Sequence, residues 1–157
     1  MKEFGEISVR SAINVDCERV QKLVFGVLRE YGLEPEVDGI DRDLSDIESN
    51  YIKRGGLFEI IEDSEGNLLG TVGLYPIDEK TVELRKMYFV KDFRGKGFGK
   101  KTLKRMIEKA GELGFKKIYL ETASVLKVAI GLYEKFGFQS VVDLHSPRCD
   151  KAYYLDI

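Results

Sequence analysis

Histidine occurs once in the 157 residues, as His145, and cysteine twice, as Cys17 and Cys149. A histidine-rich metal site is thereby excluded. The two cysteines lie far apart and form no Cys-x-x-Cys pair. Neither a disulfide framework nor a zinc site is indicated, and both read as ordinary thiols of a reducing cytoplasm. No apolar run is long enough to span a bilayer, and Met1-Lys2-Glu3-Phe4-Gly5-Glu6 lacks the apolar centre of a secretion signal. An excess of positive charge is missing as well: the formal net charge is -2, which argues against a globally basic nucleic-acid binder and leaves room only for a local basic patch. Repeats, low-complexity tracts and composition breaks do not occur, so residues 1–157 read as one domain. What is present is 43% apolar and 33% charged residues, the balance of a globular chain that can bury a core without staples.

Ile7 and Val9 alternate in a short first strand over 6–10. Asn14 or Asp16 can cap the helix that follows, in which Val20, Leu23, Val24, Val27, Leu28 and Tyr31 recur at helical spacing until Gly32. From Glu30 to Glu48 the chain is acidic, with Arg42 the single basic residue. Leu44, Ile47 and Tyr51 predict a shorter second helix there, with Asp41 or Asp43 at its N-terminus. Strands over 57–62, 68–75 and 81–90, joined by the turn signals Asp63 to Asn67 and Pro76 to Lys80, predict an antiparallel meander. In its last member Val82 and Leu84 alternate with Glu83 and Arg85, but Lys86 breaks the phase and Met87 to Val90 is apolar throughout. Either a bulge shifts the register or the strand becomes buried on both faces. A helix with Leu103, Met106, Ile107, Ala110 and Leu113 on one face, a strand over 117–122, a helix over 124–136 and closing strands over 138–142 and 152–157 complete the chain. Strand, helix, strand implies a right-handed crossover and parallel pairing. The expected architecture is α+β: one twisted mixed sheet of about 6–7 strands with helices on both faces.

The meander leads into Arg94-Gly95-Lys96-Gly97-Phe98-Gly99-Lys100. Alternate glycines at a strand-to-helix junction let the backbone approach a ligand. The helix start offers unpaired N–H groups and partial positive charge, and Lys96, Lys100, Lys101, Lys104 and Arg105 add full charge around it. The stretch therefore reads as a phosphate or pyrophosphate site. A Walker A loop fails, because Lys101 follows Gly99-Lys100 and Arg94 stands where its first glycine belongs. A dinucleotide fingerprint fails, because the spacing is Gly-x-Gly-x-Gly after an antiparallel meander. A glycine-rich connector to a solvated basic helix is the plain alternative.

Arg94, Gly97 and Gly99 meet the pattern Arg/Gln-x-x-Gly-x-Gly/Ala. Here the sequence resembles the GNAT superfamily of acetyl-CoA-dependent N-acyltransferases, from Ser8 onward. The resemblance is strongest over Glu83 to Lys100, and Leu132-Tyr133-Glu134-Lys135-Phe136-Gly137-Phe138 looks like the second family motif. It implies acetyl-CoA as co-substrate, with the pyrophosphate on the backbone of Arg94, Gly95, Lys96, Gly97, Phe98, Gly99 and Lys100. The pantetheine arm would pair with the main chain of Met87, Tyr88 and Phe89, on a strand bulged and splayed from its neighbour. It further implies Glu83 as general base through water, the Met87 N–H as oxyanion donor and Tyr133 as the acid that protonates the leaving thiolate. The plain alternatives are an ion pair of Glu83 with Arg85 or a lysine, and a core position for Tyr133. Leu126 stands where many members place an asparagine that touches the coenzyme.

His145 is an alternative base and Cys149 an alternative acyl carrier, neither with a sequence partner. In the family the acceptor enters on the side formed by the first two helices and the late strand-to-strand loop, here Asp143 to Asp150 with Pro147, and the acidic run Glu34 to Glu48 falls there. A cationic amine is the implied acceptor: a polyamine, an amino sugar, or a lysine or N-terminal amine of a peptide. The same carboxylates also suit a solvated helix start. The function implied is N-acetyl transfer by direct attack in a ternary complex, in the cytoplasm, with no nucleic-acid or membrane partner; a homodimer is one compatible assembly. Two rivals remain: a non-catalytic coenzyme-A-binding regulator on the same fold, and a nucleic-acid binder using the basic stretch Lys91 to Lys117.

Overall fold

The computed structural model describes residues 6–142, 144–145 and 147–157. The first five residues, on which the absence of a secretion signal rests, lie outside it, as do Asp143 and Ser146 of the expected late loop. Seven strands form one sheet in the order β1-β2-β3-β4-β5-β7-β6. They are β1 (Ser8–Ser11), β2 (Leu57–Glu62), β3 (Leu68–Pro76), β4 (Thr81–Phe89), β5 (Lys117–Thr122), β6 (Gln139–Val141) and β7 (Lys151–Asp156). All neighbours run antiparallel except β4 and β5, whose parallel pairing is the product of the crossover through a helix.

The three α-helices are α1 (Cys17–Glu30), α2 (Phe98–Glu112) and α3 (Lys127–Lys135). Their apolar stripes cover both faces of the sheet. Leu103, Met106 and Ala110 of α2 and Tyr133 of α3 pack with Val72, Leu74, Val82, Leu84, Ile118 and Leu120. Val20, Leu23, Val24, Val27 and Leu28 of α1 pack with Phe58, Ile60, Leu44, Ile47 and Tyr51 on the other face. Leu113, expected on the buried face of α2, lies beyond its last turn and is 45% exposed.

Four local expectations are corrected. Neither Asn14 nor Asp16 caps α1 with its side chain. Asp16 instead accepts both guanidinium nitrogens of Arg10 and the Ile13 N–H, and Asn14 ties to Asp46 and to the Glu48 N–H. The expected second helix is only a 3-10 turn over Arg42–Ser45 and a π turn over Glu48–Ile52. Asp41 stands at the N-cap position of the first turn as expected, but its side chain does not cap it; the Asp41 and Asp43 carboxylates turn inward to cations and to the Tyr51 hydroxyl. The helix expected from Ser124 begins at Lys127, because the Ser124 N–H and hydroxyl both donate to Asp150, at 2.7 Å each, and hold the chain in a turn. Finally, β4 ends at Phe89, where Val90 starts a 3-10 turn.

Candidate active site

The phase break in β4 is a bulge. Thr71 pairs with Tyr88 and Gly73 with Arg85, so Lys86 and Met87 together oppose Val72. Lys86 has φ +57° and is the one non-glycine residue with positive φ among those described. Its carbonyl accepts the buried Thr71 hydroxyl at 2.7 Å. In a planar trans peptide the C=O and the following N–H point opposite ways, so this bond directs the Met87 N–H away from β3. On that side β5 has already left: the β4–β5 ladder covers only Thr81, Val82 and Glu83 against Lys117, Ile118 and Tyr119. The two strands part beyond it and open a slot.

At the end of β4 stands the glycine loop. Phe93 is buried and stacks on Phe98 at 4.0 Å, fixing where α2 begins. Gly95 and Gly97 have φ +76° and +86°, and a Cβ on either would project into open space. Positive φ demands glycine there, and the space in front of the loop is what a bound group would occupy. The first turn of α2 faces this space with amides that have no helical acceptor. Arg94 does not point into it. Its Nε donates to the Phe89 carbonyl at 2.8 Å and its guanidinium grips Glu30 of α1 at 2.5 and 2.9 Å. That hydrogen bond lowers the Glu30 carboxyl below its usual range and raises Arg94. Arg94 therefore braces the loop against α1.

Slot and loop belong to one cleft of about 1520 Å³. Met87, Tyr88, Phe89, Arg94, Gly95, Gly97, Phe98, Gly99 and Lys100 line it, as do both catalytic candidates, Glu83 and Tyr133. Lys96 is absent from the lining; its ammonium donates back to the Asp92 carbonyl at 3.0 Å. Leu126 and Val128 bring apolar surface to the rim where an asparagine was the family's norm.

Tyr133 is 6% exposed and packs against Phe138 and Tyr153. It is thus a core tyrosine and a cleft residue at once, and no hydrogen bond to its hydroxyl occurs among the described residues. Burial, and then the nearby Tyr88, push its ionisation well above the ordinary phenol value, so it keeps its proton. Glu83 has a side chain 13% exposed and pairs with Arg85 at 2.8 Å. Burial raises its carboxyl above the usual range, against the opposing pull of Arg85. Arg85 lies over the Tyr75 ring at 3.7 Å and reaches Asp43 at 3.7 Å.

Sequence reasoning missed a buried ionic cluster beside this pair. Asp41 accepts Lys86 Nζ at 2.9 Å and Arg148 at 2.7 and 3.0 Å. Burial alone would raise Asp41, but Arg148 and Lys86 outweigh it and bring the carboxyl down to about 2. The phase break at Lys86 was the signal for half of it; Arg148 carried none. Tyr88, packed on the same side, is pushed up to about 12 by burial, with Arg148 opposing. His145 and Cys149 also line the cleft. The basic stretch Lys91 to Lys117 is partly neutralised, with Arg105 paired to Glu59, Lys109 to Glu112 and Lys117 to Asp156. No cluster of metal-ligating side chains occurs among the described residues, nor any helix long and apolar enough to cross a membrane.

Residues 26–138 match the model of the acetyltransferase (GNAT) family. The chain belongs to the GNAT family. It is an acetyl-CoA-dependent N-acetyltransferase. YjgM of Escherichia coli, an uncharacterised N-acetyltransferase, is 36% identical over 131 residues, covering 80% of this chain and 78% of that one. A GNAT acetyltransferase of Staphylococcus aureus superposes with a TM-score of 0.89 at 25% identity, covering 96% of this chain and 99% of the other. The fold is shared at greater distance by a spermidine N-acetyltransferase of Vibrio cholerae, crystallised with CoA and spermine, at TM-score 0.67 and 21% identity over 96% and 95% of the two chains.

Proposed function

We propose that this GNAT enzyme moves the acetyl group of acetyl-CoA to a primary amine by direct attack in a ternary complex. The observation that carries the reading is the slot made where bulged β4 parts from β5, ending on the positive-φ glycines at the start of α2. The loop from Arg94 to Lys100 holds the pyrophosphate through backbone amides, which the helix start makes electropositive. The pantetheine arm takes the place β5 vacates and pairs with the main chain of Met87 to Phe89. The Met87 N–H, aimed away from β3, donates to the thioester oxygen as it gains charge. The amine nitrogen attacks the carbonyl carbon, the tetrahedral adduct collapses, and the C–S bond breaks. Tyr133, whose buried phenol retains its proton, gives it to the departing thiolate. Glu83, whose carboxyl is raised above its usual range by burial, takes the amine's proton through water.

The acceptor is a small-molecule or peptide amine that carries positive charge. Of the acidic run, Asp41 and Asp43 are spent on internal cations, while Glu36 and Asp46 line the cleft and enter no ion pair among the described residues. Glu121 of β5 also lines the cleft, where it accepts the His145 N–H at 2.8 Å. Release of free thiol from acetyl-CoA over a panel of polyamines, amino sugars, amino acids and peptides tests the proposal. Turnover with cationic amines is the expected result. Faster turnover of neutral or anionic amines overturns the acceptor class, and coenzyme A binding without turnover of any amine overturns the reaction.

A further inference from the structure

Most ion pairs among the described residues have at least one well-exposed partner, as in Arg10–Glu62, Lys109–Glu112 and Lys117–Asp156. The Lys86–Asp41–Arg148 cluster does not: the side chains are 6%, 0% and 10% exposed. Burying such charges costs about as much as their pairing returns, so stability alone is a poor reason for the cluster. Its geometry supplies another. Asp41 sits at the centre and accepts the ammonium of Lys86, both terminal nitrogens of Arg148 and the Glu36 N–H at 2.8 Å. Lys86 Nζ also donates to the Ile40 carbonyl at 3.2 Å. Lys86 is the residue in the left-handed conformation, a state a lysine adopts against its own preference. Its side chain is held by Asp41 at 2.9 Å, with Asp43 farther off at 3.5 Å, and its carbonyl by Thr71. The peptide unit fixed between these two grips is the one that carries the Met87 N–H.

We infer that Asp41 is a positioning residue for acetyl transfer. It grips Lys86 so that the bulge keeps its left-handed turn and the Met87 N–H stays aimed at the thioester oxygen. Through Arg148 it ties the segment between β6 and β7 to the same point. The inference rests on the role proposed above for the Met87 N–H.

The test is isotope-edited infrared spectroscopy of carbonyl-labelled [13C]acetyl-CoA bound to the full chain. It needs no knowledge of the acceptor. In the wild type the bound thioester carbonyl should absorb at lower frequency than free acetyl-CoA, because a hydrogen bond polarises it. Asp41→Asn should abolish most of that shift while calorimetry shows unchanged acetyl-CoA affinity. With any amine that turns over, its kcat should fall about tenfold at unchanged KM for acetyl-CoA. Lys86→Gly in the Asp41→Asn background should restore the shift, because glycine holds positive φ without a grip. A wild type without a shift overturns the role of the Met87 N–H itself. A shift retained in Asp41→Asn, or one that Lys86→Gly does not restore, overturns the positioning role and leaves the Met87 assignment standing. Should Asp41→Asn not fold, Asp41→Glu keeps the charge and displaces the grip by one methylene. A smaller shift is then expected, and a full wild-type shift overturns the inference.

Discussion

Glu83 and Tyr133 show how one burial acts on two acids in opposite service. Both are pushed to hold their protons more tightly. For Tyr133 this preserves a donor, and Tyr133→Phe should lower kcat about a hundredfold while coenzyme A affinity, read by calorimetry, stays the same. For Glu83, in the role proposed for it, the base works only once the proton has left. The amine-dependent rate should therefore rise with pH through a value above that of an ordinary glutamate. In Glu83→Gln this limb should vanish from the pH profile, leaving a flat, lower rate. That both positions reach the cleft was legible in the sequence, because the two family motifs number them. The Arg85 pairing of Glu83 was legible as an alternative, and the structure shows the same carboxylate in that ion pair and in the cleft lining. Asp41 was read only as one acid in a run. Its partners Lys86 and Arg148 come from distant parts of the chain, and no local pattern announces them.

Among the elements, the glycine loop was the most legible, because its demand is local. Two positive-φ glycines and a helix start are adjacent in sequence, and no tertiary contact is needed to recognise them. Gly97→Asp places a side chain and a negative charge at φ +86° before the helix start. Coenzyme A affinity should fall at least a hundredfold in calorimetry, with the fold intact by circular dichroism. The brace from Arg94 to Glu30 was not legible, since the motif speaks for the backbone of Arg94 and nothing local links its side chain to α1. Glu30→Gln should weaken coenzyme A binding about tenfold or less, because the pair is partly exposed. It should leave kcat unchanged, which separates bracing from chemistry. The start of α3 was misplaced because Ser124 is held by Asp150, which stands just before the neighbouring strand β7. The bulge in β4 was one of two readings. A phase break in apolar periodicity says that register changes; only the partner strand says how.

For the whole molecule, the two helical layers and the sheet between them follow from periodicity and from connection lengths, and so were expected. The placement of β7 between β5 and β6 was not, because strand order depends on which edges meet in space. Acid stability is a property at this scale. Asp16 and Asp41 both have carboxyls brought down to about 2, Asp16 first by its hydrogen bond to Arg10 and Asp41 by Arg148 and Lys86 against its burial. A depressed carboxyl stabilises the fold above its unfolded value and loses that contribution as pH falls through the folded one. Urea midpoints should therefore hold steady down to about pH 4 and decline toward pH 2. Asp16→Asn should flatten part of that decline. Its share is about 1 kcal/mol or less, because the Arg10 side chain is 42% exposed and screened.

The amino-acid sequence by itself determined the parts whose physics is local: the amphipathic helices, the meander, the left-handed glycines before α2, and with them the family and its cofactor. Each rests on spacing that a folded neighbour does not alter. The tertiary structure alone decided the direction in which the Met87 N–H points, the company Glu83 keeps, and which carboxylates of the acidic run face the cleft. Those depend on groups brought together from distant segments, and on burial, which exists only once the chain has closed around them.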